Sequence, residues 1–189
     1  MSPLEIIAFA LGVTNVALVV RRSLWNYPFG LVMVALYGGI FFEAKLYSDA
    51  LLQIFFFVVQ LYGWVNWSRS MADAGEVAIE RMTGRARFAW LAGAALATIV
   101  WGWAMHRFTD AAYPWWDAGV AILSVVAQIL MSRRLLENWL LWIAVDVLAI
   151  GLYAAKGLQL TALLYVIFLA LSLWGLLDWR ASERRLAVA

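Results

Sequence analysis

Few side chains inside the apolar stretches of this chain can do chemistry, and Asp146 is the first of them. It stands mid-way through a long apolar run, four residues after Trp142 and therefore on the same face of a helix. A carboxylate at the centre of a bilayer costs roughly 2.5–3.5 kcal/mol on the insertion scale, so it has to face a cavity or a partner. Two chemistries suit it: a counter-charge for a cationic ligand, or a proton site. The bland alternative is a protonated or hydrogen-bonded structural acid. Lys45 and Lys156 sit at the ends of apolar runs and reach such a group only by snorkelling. Trp142 lies a full turn inside its run, where an indole face can stack on a flat cationic ring, a contact worth about 2 kcal/mol or more when desolvated.

Amides form the second set. Gln53 and Gln60 are seven residues apart and share one helical face, continued by Gly63 and Trp67. Buried amides can be interhelical glue worth about 0.6 kcal/mol each, or they can be ligand groups, and Gln53 is the better ligand candidate. Asn26 and Asn138 open two apolar runs beside Trp25 and Trp139, where Asn commonly caps a helix N-terminus. In a binding site, Asn26 and Asn138 would hydrogen-bond ribose or amide groups, and Trp139 would add a second aromatic face. Asn15 hangs a polar group into the first run, and Tyr165 with Ser172 gives the last run a mild polar face.

The missing residues exclude whole classes. There is no cysteine and one histidine, His106, so disulfides, iron–sulfur centres, thiolate zinc and a His-bearing metal pair are out. No phosphate-binding G-x-x-x-x-G-K-[ST] loop, G-x-S-x-G elbow or H-E-x-x-H motif occurs. Glu43 is the other acid near an apolar interior, which is too little for a catalytic dyad. The expectation is a protein that is not an enzyme, with no catalytic residue, no metal and no cofactor.

The elements that hold these groups follow from composition. The chain has 189 residues, 66% apolar and 14% charged, where a soluble domain has about 45–50% and roughly 25%. Seven apolar stretches appear, at 4–20, 28–44, 50–67, 88–105, 115–131, 139–155 and 160–179. Their backbones must be satisfied internally in lipid, which means helices, since a barrel would show short alternating segments. The first run has no basic leader and ends in Arg21-Arg22 with no small-residue cleavage site, so it reads as a span and not a signal peptide. Trp67, Trp90, Trp115 and Trp179 fall at span ends and suit an interfacial belt. The polar interval 68–87 reads as a surface loop.

A shift of 112 residues, the distance from Arg21 to Arg133, superposes much of the chain on itself. It lays Arg21-Arg22 on Arg133-Arg134, Asn26 on Asn138, Leu46 on Leu158, and Gly63 with Trp67 on Gly175 with Trp179. Spans 1–3 thus correspond to spans 5–7. Three spans reverse the side of the chain, so span 4, with its small run Ala92-Gly93-Ala94-Ala95, must return it before a parallel repeat can begin. The expected fold is all-α and integral to the membrane, seven helices in a 3+1+3 arrangement. Its parts are a first bundle over 1–67, a cytoplasmic loop over 68–87, a linker helix over 88–106, a second bundle over 107–180 and a tail over 181–189. Such duplications are a transporter architecture that works by rocking one bundle against the other.

The runs W-N-Y-P-F-G (25–30), L-L-Q-I-F-F-F (51–57), L-Y-G-W (61–64), Y-P-W-W-D (113–117) and E-N-W-L-L-W-I (137–143) resemble the PnuC family of bacterial vitamin transporters. The likeness covers essentially the whole seven-span core, and the family is similar in build to the SWEET sugar transporters. It implies uptake of nicotinamide riboside across the inner membrane by facilitated diffusion, with a cytosolic kinase trapping the product. Sister branches carry thiamine or riboflavin. It also implies substrate contacts at Trp142 and Gln53, and a homotrimer. Where the family has Asn in W-x-x-x-N, this chain has Asp146. The rival from another class is a seven-span ligand sensor signalling through 68–87 or the tail, which has no use for a duplicated bundle.

Loop charges set the orientation. One side holds Lys45, Arg107 and Lys156, and the other holds Arg21, Arg22, Arg69, Arg81, Arg85, Arg87, Arg133, Arg134, Arg180, Arg184 and Arg185. The positive-inside rule puts the second set in the cytoplasm, with the N-terminus outside. The formal charge of +2 is therefore a matter of orientation and gives no support for nucleic-acid binding. A reporter fused to the C-terminus should be active in the cytoplasm; activity confined to the periplasm would overturn both the topology and the parallel repeat.

Overall fold

A computed structural model describes residues 3–43, 47–157 and 159–186. Lys45, Leu46 and Leu158, used above for charge and repeat, lie outside the described residues. Seven helices follow one another: α1 (Pro3–Val20), α2 (Asn26–Glu43), α3 (Tyr47–Ala74), α4 (Gly84–Phe108), α5 (Pro114–Ser132), α6 (Asn138–Ala155) and α7 (Gln159–Leu186). Among the described residues, five segments are long and apolar enough to cross a membrane: Leu51–Ala74, Gly84–Phe108, Pro114–Ser132, Asn138–Ala155 and Thr161–Arg184. The shorter apolar runs Phe9–Val20 and Asn26–Ile40 belong to α1 and α2. The protein is an all-helical, multi-pass membrane protein.

The interval 68–87 is less of a loop than its polarity suggests. Nothing between Trp67 and Ala74 breaks a helix, so α3 runs on until Gly75, whose φ of +72° suits a C-terminal stop. The following helix starts where the Thr83 hydroxyl accepts the Ala86 N–H at 3.3 Å. In the same way α7 continues through the polar residues 180–186.

The chain forms two compact units. The first comprises Met1–Ile79, Ser132–Arg134 and Leu177–Ala189. Its core is aromatic: Trp67 and Trp179 are fully buried with ring centroids 5.8 Å apart, and Tyr27 meets Trp67 edge-on at 5.5 Å. These two tryptophans are therefore not belt residues. The last carbonyls of α1 have no partner within the helix, and the Trp179 indole N–H donates to those of Val19 and Val20 at 3.3 and 3.2 Å. Trp115 is half-exposed and keeps the character of a belt residue. Arg134 donates to the Asn66 carbonyl at 2.9 Å and to its Oδ1 at 3.1 Å.

The second unit comprises Glu80–Met131 and Leu135–Leu176. Ala94 of α4 is buried against Val126 and Leu130 of α5, so the small-residue helix is part of a packed core and more than a connector. The Trp116 indole N–H donates to the Leu148 carbonyl at 2.9 Å while its ring covers Gly151. At one end Glu137 holds Arg87 at 2.8 Å and accepts the Met82 N–H at 3.2 Å. At the other, Lys156 pairs with Asp117 at 2.8 Å.

The 112-residue repeat is legible in backbone detail. Arg22 and Arg134 both take positive φ, 54° and 60°, at the residue that closes the preceding helix. Ser23 N–H donates to Leu18 and Leu135 N–H to Leu130, each at 3.0 Å, which is the six-to-one bond of a Schellman turn. The amides of Asn26 and Asn138 then donate to the carbonyls of Ser23 and Leu135, each at 2.7 Å. Both asparagines thus brace the turn behind them and do not cap the helix ahead, correcting the N-cap expectation.

The equivalent glycines Gly63 and Gly175 serve one purpose. A Cβ on Gly63 would lie 2.8 Å from the Tyr27 hydroxyl, and one on Gly175 would lie 2.5 Å from the Trp139 ring. Gly175→Ala should cost about 1–3 kcal/mol, seen as a lower thermal midpoint in detergent. Gly93→Ala, which meets open space, should stay within about 0.5 kcal/mol of the parent.

Candidate functional site

In the second unit, α6 is apolar all along one flank and carries Trp142 and Asp146 one turn apart on the other. Asp146 is only 2% exposed. The Ser172 hydroxyl on α7, itself buried, donates to Asp146 Oδ2 at 2.8 Å. Among the described residues this is the acid's one hydrogen bond, which leaves Oδ1 without a protein partner. Among the described residues no cation pairs with it, and Lys156 is engaged by Asp117 on the same unit. A carboxylate accepts up to about four hydrogen bonds, so half of this one is available for chemistry with something else.

Trp142 is half-buried and, among the described residues, makes neither a ring contact nor a hydrogen bond. Its face and its indole N–H are both uncommitted. Tyr165 of α7 stacks on Tyr153 of α6 at 5.3 Å and 18°, with Phe168 edge-on at 5.9 Å. That aromatic group sits on the same pair of helices as the Asp146–Ser172 bond. By contrast Trp139 is 1% exposed and packed into the Gly175 notch, and Asn138 is fully buried with its amide nitrogen committed to Leu135. Packing occupies Trp139 and turn closure the Asn138 amide nitrogen, while Asn138 Oδ1 is buried without a hydrogen-bond partner among the described residues.

In the first unit, α1, α2 and α3 bring two amides onto one glycine. The Gln60 Oε1 occupies the space a Cβ on Gly30 would take, and Asn15 Nδ2 lies 2.7 Å from the same point. Asn15 also donates to the Asn26 carbonyl, and Gln60 and Asn26 are buried. Gln53 is half-buried beside Gly38 and makes no hydrogen bond among the described residues.

The repeat shows how far the halves have diverged. Gly30 corresponds to Trp142, Gln60 to Ser172 and Gln53 to Tyr165, each 112 residues on. One half places a glycine and two amides where the other places an indole, a hydroxyl and a phenol. Sequence periodicity found Asp146 and Trp142 but missed the Ser172–Asp146 bond and the role of Gly30. Their signal was the repeat register, since Ser172 and Gln60 are equivalent positions that each send a polar group to the middle helix of their set. Among the described residues no group of three His, Asp or Glu side chains is placed to hold a metal ion.

Residues 2–181 match the family model described as nicotinamide mononucleotide transporter. Curated relatives include the nicotinamide riboside transporter PnuC of Escherichia coli (strain K12), 32% identical over 97% of this chain and 87% of that protein. A second is the riboflavin/roseoflavin transporter RibM of Streptomyces davaonensis, 32% identical over 96% of this chain and 86% of its own length. Among solved structures, the crystal structure of the vitamin B3 transporter PnuC aligns with a TM-score of 0.78 at 30% identity, covering 96% of this chain and 82% of that one.

Trp142→Ala and Gln53→Ala should each weaken ligand binding by about 1–2 kcal/mol, roughly tenfold, while folded protein still reaches the membrane. Titration by tryptophan-fluorescence quenching measures this for Gln53→Ala, and calorimetry for Trp142→Ala. Unchanged affinity in both variants would place the site elsewhere.

Proposed function

We propose, since this chain belongs to the nicotinamide mononucleotide transporter family, that it carries nicotinamide riboside across the bacterial inner membrane by facilitated diffusion. The family is one of membrane transporters and not of enzymes. Relatives named as nicotinamide riboside transporters match over almost the whole chain. The observation that favours this substrate over the flavin of the RibM relative is Asp146, a buried acid with one oxygen uncommitted. Nicotinamide riboside and thiamine carry a fixed positive charge on an aromatic ring, whereas riboflavin is neutral at pH 7. Thiamine is the second reading, supported by the same charge; the rest of α6 follows the nicotinamide riboside pattern through E-N-W-L-L-W.

In this reading the Trp142 face stacks on the pyridinium ring and Asp146 Oδ1 neutralises its charge. Attraction between unit charges near 4 Å is about 4 kcal/mol at an effective dielectric constant of 20, and it keeps the acid ionised while the cation is bound. Gln53 offers an amide to the carboxamide or ribose, and Tyr165 offers a phenol ring. Asn26, Asn138, Trp139 and Asn15 act through backbone and packing. Recognition needs no nucleotide site and no ion gradient, so the carrier equilibrates its substrate and a cytosolic kinase draws it inward by phosphorylation. The 3+1+3 order, a cytoplasmic C-terminus and a homotrimer complete the proposal.

Purified protein in liposomes tests it. Radiolabelled nicotinamide riboside should enter saturably, with neither ATP nor an imposed gradient, and stop at equal concentrations. Accumulation driven by a pH step would show proton coupling, and binding without flux would favour the sensor.

A further inference from the structure

We propose that Ser172 is a positioning residue that sets the charge preference of the site by fixing the Asp146 carboxylate, an inference that rests on Asp146 being the counter-charge for the substrate. The bond joins α7 to α6 at 2.8 Å, and both side chains are almost wholly buried. A serine hydroxyl has one proton. In an apolar helix it ordinarily donates that proton to the carbonyl a turn earlier, as Ser124 does to Val120 at 2.7 Å in this same unit. Ser172 instead spends it across the helix pair on Asp146 Oδ2.

Two consequences follow. A hydrogen bond from a neutral donor to an ionised carboxylate stabilises the charged form, and such charge-assisted bonds are roughly twice as strong as neutral ones. The bond also fixes the rotation of the carboxyl group, so that Oδ1, which has no partner among the described residues, keeps one direction. Without the hydroxyl, a buried acid would relieve its unpaired Oδ2 by turning or by taking up a proton, and either change removes the negative charge from where a cation needs it. The repeat register agrees that the position has a reaching role: its counterpart, Gln60, also sends its polar end to the middle helix of its own set, onto Gly30. The two halves keep the reach and change the chemistry, from an amide over a glycine to a hydroxyl on an acid.

The test is the ratio of affinities for nicotinamide riboside and for its reduced, uncharged dihydro form, measured by calorimetry on the whole protein in detergent. Ser172→Ala should lower the ratio about tenfold, whereas Ser172→Thr, which keeps the hydroxyl, should hold it within about twofold of the parent. In an Asp146→Asn background, Ser172→Ala should change the ratio no further. If Asp146→Asn lowers the ratio and Ser172→Ala does not, Ser172 is packing alone and the proposal is overturned. A ratio unmoved by Asp146→Asn would instead overturn the reading of Asp146 as the counter-charge, and this proposal with it.

Discussion

A carboxylate placed at the middle of a lipid-spanning helix is the constraint around which the rest of this molecule is arranged. Leaving Asp146 unserved in hydrocarbon would be costly, so the helix pair that carries it has to supply partners. The α6–α7 pair supplies one, the Ser172 hydroxyl at 2.8 Å, and the other oxygen has no hydrogen-bond partner among the described residues. Half-satisfaction is consistent with the proposed counter-charge for a cationic ligand. The nearby Trp142, with neither ring contact nor hydrogen bond, meets the same description for an aromatic group.

Around that constraint the duplicated backbone is conservative and its interior is not. The closing turns of α1 and α5 share positive φ at Arg22 and Arg134, the same six-to-one hydrogen bond and the same asparagine brace. Gly63 and Gly175 each make room for an aromatic at the equivalent position, Tyr27 in one half and Trp139 in the other. These features fix how a helix hairpin turns and packs, and they repeat because the geometry repeats. The positions facing each set's interior carry an amide cluster on one side and an acid, a hydroxyl and an indole on the other.

Much of this was readable in the sequence, and for physical reasons. Seven apolar stretches form seven helices because lipid leaves the backbone no alternative, and a constant offset of 112 residues aligns the turns that close α1 and α5. Asp146 and Trp142 stood out because a charge and an interior indole are anomalies against hydrocarbon. Reading failed where the signal was tertiary. Trp67 and Trp179 lie at span ends, where tryptophan usually meets the interface, but both are buried and the carbonyls ending α1 accept the Trp179 indole N–H. Asn26 and Asn138 stand where caps stand, yet their amides point back to Ser23 and Leu135. Polarity made 68–87 look like a loop, while the absence of a breaker before Gly75 let the helix continue. Ser172 looked like a mild polar face, since nothing in one dimension links it to an acid on the preceding helix.

The central claim is that Asp146 meets its substrate as a carboxylate, and infrared difference spectroscopy observes this directly. Spectra of the protein with and without nicotinamide riboside, recorded for the parent and for Asp146→Asn, isolate the bands of that one side chain in the complex. Carboxylate stretches that vanish in the Asn variant are expected. A protonated carboxyl band in the complex, lost in the same variant, would contradict the assignment of Asp146 as the counter-charge.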